Sequence, residues 1–250
     1  MCMHPANAND PRPWPQQGLE RMICPSAIAW VGTDTPDPEA GLIDRLSDKA
    51  VFMMGDNPAL PRMPERPTLL DFFRLRFNDF TVQHLLASAK RAMDDGHDEK
   101  IVLACLLHDI SNGCLVRPDH GYWSGQLIAP YVSEEVAWAV TYHQALRYVP
   151  DESVGYAYPA SYDRFFGPGY ELPDYIRRDA EIARNHRWYM TSRVVTLNDL
   201  YFFEDTDPVD PEIFTDLLGR HFRQPEEGLG FDNSPTSHMW RTMIWPNNFL

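Results

Sequence analysis

The chain has 250 residues, of which 44% are hydrophobic and 23% charged. That is the composition of a folded globular protein, not of a disordered one. Thirty-six acidic against 22 basic residues leave a net charge of −14, a field that repels phosphate backbones and disfavours nucleic-acid binding through a basic surface.

Eleven of the 22 prolines fall within residues 1–67. Proline fixes φ and removes a backbone donor, so this stretch is expected to be loop and extended chain wrapping the main domain. Within it, residues 40–54 have the pattern of one short helix. The opening MCMHPANANDPRPWPQQ has neither a basic n-region nor an apolar h-region, so it does not read as a secretory leader. No apolar run reaches the roughly 18 residues of a membrane span. Cys2, Cys24, Cys105 and Cys114 form no CxxC pair, which suits reduced thiols and a cytoplasmic location.

Residues 68–224 form the expected helical core. Residues 79–95 place Val82, Leu85, Leu86, Ala89 and Met93 near helical spacing, and Gly96 stops the helix. Asp98 is positioned to cap the next helix, which runs through EKIVLACLLHDIS to Gly113. Its stretch from Ile101 to Leu107 is apolar on all sides and predicts a buried element. His120 opens a further helical segment, and Ser133 caps EEVAWAVTYHQALRY with two acids in the first turn to suit the dipole. Residues 150–173, rich in Pro, Gly and Tyr, read as a long loop. One long helix is expected from Asp174 to about Phe203, and a short one over 211–222. The tail, residues 225–250, ends in MWRTMIWPNNFL, whose aromatics are expected to pack back on the body. With no alternating strand pattern, the fold class is all-α: a helical bundle with a Pro-rich N-terminal extension and an aromatic C-terminal tail.

The chemistry lies in the histidines, nine in all. His97 sits in the solvated turn DDGHDEK, where Asp98 serves as a cap. His108 and Asp109 instead close a fully apolar helix, where a carboxylate is costly unless it is paired or metal-bound. His84 lies in the preceding helix, His120 at the start of the next, and His143 near the end of the one after. Asp199 lies in RVVTLNDLYFF, flanked by apolar residues. Successive helices thus each present one imidazole or carboxylate amid apolar neighbours, the pattern of bundle-core metal sites. Four His and two Asp suit Fe, Mn, Co, Ni or Zn, and six groups with an adjacent His-Asp pair suit two metals bridged by Asp109.

The order His84, His108-Asp109, His120, His143, Asp199 resembles the HD-domain superfamily over roughly residues 79–203. Within it, the two additional histidines resemble the diiron HD oxygenases of the myo-inositol and phosphonate-cleaving types. The resemblance implies that His84, His108, Asp109 and Asp199 hold one metal and that Asp109, His120 and His143 hold the other. It implies a mixed-valent Fe(II)/Fe(III) pair, with a substrate hydroxyl at Fe(III) and O₂ at the Fe(II) side. Arg147 stands where the phosphonate oxygenases place a cation for the substrate anion, and forked donors suit an oxyanion. Asn112 occupies the position where the oxygenases tend to carry His or Lys. Tyr122, Trp123 and Ser161 are further pocket candidates from their nearness to ligands in sequence.

The expected function is a non-haem diiron oxygenase that uses O₂ to cleave a small hydroxylated substrate, a phosphonate or a polyol. The alternative is an HD phosphohydrolase, loaded with Mn, Co, Ni or Zn and acting on a nucleotide or phosphate ester. The family's hydrolases usually place charged residues beside the HD pair to protonate the leaving group. HDISNGCL offers none, which favours the oxygenase. A degenerate HD fold that binds without turnover is the third reading.

Overall fold

The computed structural model describes residues 61–116, 118–167, 169–199 and 207–244. The helix expected within residues 40–54 and the last six residues of the tail lie outside them. Among the described residues the chain is all-helical. It runs α1 (Leu69–Leu75), α2 (Asp79–Asp94), α3 (Glu99–Leu107), α4 (Ile110–Cys114), α5 (His120–Ile128), α6 (Glu134–Arg147), α7 (Ala160–Phe166), α8 (Asp174–Arg184), α9 (Tyr189–Asn198), α10 (Thr215–His221) and α11 (Ser237–Ile244). No helix among these residues is long and apolar enough to cross a membrane.

The helix starts follow from local chemistry. Asn78 caps α2 by accepting from the Thr81 N–H at 2.8 Å. Asp98 accepts from Lys100 N–H at the start of α3, and Ser133 accepts from Val136 N–H at the start of α6. Each supplies a partner for an N–H that the helix itself leaves unpaired. Glu134 and Glu135 in the first turn of α6 favour its dipole.

Helix α6 is the hub of the bundle, packing against α3, α5, α8 and α9, while α2 lies along α3. Residues Val102 to Leu107 of α3 are all buried, as an all-round apolar helix requires. On α2 the stripe of Val82, Leu85, Leu86 and Ala89 is buried, but Met93 is 38% exposed and Ala92 takes the inward place. At the other end of the bundle, Trp240 of α11 is fully buried. Its ring lies edge-on to Phe72, with centroids 4.8 Å apart. The described part of the aromatic tail therefore packs on the body.

Three segments differ from the sequence expectation. The helix through His108-Asp109 is broken: α3 ends at Leu107, Asp109 sits at φ −106° and ψ 18°, and α4 restarts at Ile110. The expected long helix from Asp174 is two helices, interrupted at residues 185–188, where the Trp188 N–H turns to His186 Nδ1 at 3.2 Å. The loop at 150–173 contains a short 3₁₀ turn, Glu152–Val154, and the helix α7. Its aromatic rings pack together, Phe166 stacked on Tyr170 at 4.9 Å and Tyr162 tilted against Tyr148 at the end of α6 at 5.3 Å, and supply the apolar face that the proline and glycine content masked.

Two glycines let α5 lie close against α6. A Cβ at Gly121 would fall 2.9 Å from the Thr141 carbonyl oxygen, and one at Gly125 would run into Thr141 Oγ1. Gly121→Ala is expected to cost about 1–3 kcal/mol by prising the helices apart. Gly219→Ala, where nothing lies within 4 Å, should be neutral or mildly stabilising. Chemical denaturation of both variants measures the difference, and equal midpoints would show that the α5–α6 contact relaxes freely.

Candidate metal centre

Five helical elements bring the six predicted residues to one point. His84 comes from the middle of α2. His108 and Asp109 come from the break between α3 and α4. His120 is the first residue of α5, His143 lies near the end of α6, and Asp199 follows α9. The α3–α4 break matters here, because it frees Asp109 from the helix rather than leaving it as a cap: its side chain makes no capping hydrogen bond.

Asp109 is central. Its Oδ1 lies 3.2 Å from His120 Nε2, 3.4 Å from His143 Nε2 and 3.7 Å from His108 Nε2, and its Oδ2 lies 3.8 Å from His84 Nε2. Asp199 Oδ1 is 3.3 Å from His84 Nε2 and 3.5 Å from His108 Nε2. The Nε2 atoms of His84 and His108 are 3.1 Å apart. Two groupings follow, His84–His108–Asp199 and His108–Asp109–His143, each with one ligand atom per residue and all of these within 4.8 Å of one another.

The tautomers are set by the backbone. His108 Nδ1–H donates to the Cys105 carbonyl at 2.8 Å, and His143 Nδ1–H donates to the Val140 carbonyl at 2.6 Å. A carbonyl can only accept, so Nδ1 carries a proton in both rings, and it is Nε2 that faces the cluster, with a free lone pair whenever the ring is neutral. Metal-ligating histidines are oriented in this way.

The residues present fit a metal. Asp109 Oδ1, Asp199 Oδ1 and His143 Nε2 are buried and make no hydrogen bond, a costly arrangement for a carboxylate or an imidazole with nothing between them. Ligand atoms about 2.1 Å from an ion and at right angles lie about 3.0 Å apart, close to the spacings found here. All the donors are imidazole nitrogen or carboxylate oxygen, the set that suits iron, manganese, cobalt, nickel or zinc. Cys105 is buried behind His108, and burial pushes its thiol up, away from the thiolate.

Electrostatics agree with the geometry. Burial pushes the Asp109 carboxyl up, but the imidazoles of His120 and His108 outweigh it and hold the group well below the usual carboxylate range. Asp199 is held low against its own burial by Arg147 and His108. Burial lowers His143 to about 4, so it is neutral. His108 is raised, since its two carboxylate neighbours outweigh burial. The cluster is therefore two carboxylates that attract positive charge into a buried site.

The predicted substrate-side residues are close by, in roles the sequence did not specify. Arg147 Nη1 lies 2.9 Å from Asp199 Oδ2, and its guanidinium lies over the Tyr162 ring at 5.3 Å. Asn112 donates its amide to Asp109 Oδ2 at 3.2 Å, so it supports the central carboxylate directly. Tyr122 and Trp123 line a cleft of about 290 Å³ between α5, α6 and α8 that none of the six predicted ligands lines. The side chain of Ser161 lies outside the described residues. Tyr162 was missed, because nothing in a Pro/Gly/Tyr-rich segment marks which ring reaches Arg147. Two other described histidines have partners of their own away from the cluster. His186 stacks on Trp138 with centroids 4.1 Å apart, and His221 pairs with Glu99 at 2.7 Å.

Fold and site together define an all-helical protein with a buried His/Asp cluster of metal-ligating composition. Comparison of the chain with protein-family models and with curated proteins finds no match.

Proposed function

We propose that this chain is an HD-type oxygenase whose six converging residues hold two iron ions and which uses O₂ to cleave a small hydroxylated substrate. The observation that carries the reading is that Asp109 Oδ1, Asp199 Oδ1 and His143 Nε2 are buried without hydrogen bonds and point into one cluster. His84, His108, Asp109 and Asp199 would hold one iron, and Asp109, His120 and His143 the other. When bound, the pair supplies Lewis acidity toward a substrate hydroxyl and the electrons that activate O₂.

The protein's own contribution is placement. Backbone carbonyls fix the rings of His108 and His143, and Asn112 steadies Asp109. Arg147 sits between Asp199 and Tyr162 at the edge of the cluster, where one forked cation can meet a phosphonate or carboxylate on the substrate. The same neighbourhood bears on the hydrolase alternative. Asn112, four residues beyond His108, is an amide, far too weak an acid to protonate a leaving group.

Protein purified without oxygen is expected to carry two irons per chain, to show a coupled mixed-valent EPR signal after partial oxidation, and to consume O₂ with a hydroxylated phosphonate or polyol. Two non-iron ions with phosphate release under anaerobic conditions would replace this reading with the phosphohydrolase. Metal-free protein would reduce the cluster to a polar core network.

A further inference from the structure

Asp119 is the only non-glycine residue among those described with a positive φ, at φ 52° and ψ 37°. It immediately precedes His120. L-residues adopt this left-handed basin at a cost, and Asp is one of the few that tolerate it. A residue so placed persists only where its surroundings hold it.

The holding contact is visible. Asp119 occupies the N-cap position of α5, and its carbonyl accepts the Trp123 N–H at 3.1 Å. An N-cap aspartate ordinarily turns its carboxylate back to the first N–H groups of its own helix. This one makes no such bond. Its Oδ1 instead accepts from the Tyr175 hydroxyl of α8 at 2.7 Å. On the other side of His120, the Gly121 N–H donates to Gln144 Oε1 at 3.0 Å, and Gln144 directly follows His143. The backbone on both sides of His120 is thus tied to neighbouring helices, to α8 through Asp119 and to α6 through Gly121.

We propose that Asp119 and Tyr175 are positioning residues that hold His120 at the centre, so that α8 controls how tightly the metal shared by Asp109, His120 and His143 is bound. This rests on the two-metal reading above. Were Asp119 to relax into an ordinary basin, the chain would enter α5 in a different direction. His120 Nε2 would then leave its place 3.2 Å from Asp109 Oδ1. The other proposed set, His84, His108, Asp109 and Asp199, has no residue on α5, so the latch reaches it only through the shared Asp109.

The test uses the full chain, stripped by chelator and titrated with Co(II), with equivalents counted by calorimetry and followed by the visible Co(II) spectrum. In Tyr175→Phe the first equivalent is expected to bind as in the wild type and the second about tenfold or more weakly, the usual effect of losing a group that orients a ligand. Adding Asp119→Gly to Tyr175→Phe should restore the second equivalent, because glycine adopts the left-handed basin without a latch. A tyrosine that served only general stability would not be rescued in this way. Wild-type affinity for both equivalents in Tyr175→Phe, equal weakening of both, or no recovery in the double variant would each overturn the latch. A wild-type protein that takes up fewer than two equivalents would overturn the two-metal reading itself, before any variant is compared.

Discussion

Asp109→Ala is expected to take metal content from two ions per chain to one or none and to weaken any ion that remains by at least about 100-fold, beyond what losing an orienting neighbour costs. The size of the effect comes from the position of the carboxylate. Its two oxygens lie 3.2–3.8 Å from the Nε2 atoms of four imidazoles. Without it, His120 and His143 face each other with no anion between them, and two neutral imidazoles alone hold a divalent ion poorly. The fold should register the loss as well. Metal at 100 times the dissociation constant of its site stabilises the native state by about 2.7 kcal/mol, so metal should raise the melting temperature of the wild type and raise that of Asp109→Ala far less. Melting curves with and without added Fe(II) or Co(II), alongside metal analysis, make the comparison. Full metal content in Asp109→Ala would remove Asp109 from its bridging place.

Arg193→Met is expected to lower stability by about 3–5 kcal/mol, an effect that does not involve the metal ligands. Arg193 is fully buried. Its guanidinium donates to the carbonyls of Leu146 and Val149 at 3.0 and 2.9 Å, to Thr196 Oγ1 at 3.2 Å and to the Tyr189 hydroxyl at 3.1 Å, and it lies over the Tyr156 ring at 4.6 Å. Methionine keeps much of the stem and none of the donors. The Val149 carbonyl would then be buried without a partner, at about 1–3 kcal/mol, and the Leu146 carbonyl would keep only the Val149 N–H at 3.1 Å. The melting temperature should fall by roughly 10 °C at 2–4 °C per kcal/mol. The same turn carries Arg147, so the variant should also loosen the Asp199 side of the centre. A change of less than about 1 kcal/mol would mean that water reaches the α6 terminus and replaces the arginine.

These two residues differ in how far the sequence announced them. Asp109 stands out because a carboxylate at the end of an all-apolar helix has no cheap resting state, and His84, His108, His120, His143 and Asp199 recur at one per helix in apolar settings. Helix existence was equally visible, since capping by Asp98 and Ser133 and the stripe on α2 are local properties. Arg193 was not announced. It sits in a segment whose periodicity shows only an apolar helix, and its partners on α6 are more than 40 residues away in the chain. The break at residues 185–188 was missed for a related reason: no Pro or Gly marks it, and it is fixed by His186 stacking on Trp138 of α6. Likewise the Tyr175–Asp119 bond joins residues 56 positions apart, so neither partner looks unusual alone.

Asp109, His120 and Asp199 all occupy helix termini: a break, a first residue and a last cap. Helix termini are where a bundle opens first, at a fraction of the free energy of global unfolding. An ion seated among them would act as a rivet through three fraying ends. Its departure would then be a local event, with amide exchange rising at the ends of α4, α5 and α9 while the centres of α2, α3 and α6 stay closed. On the two-metal reading, a protein built this way would release and reload its ions without passing through the unfolded state.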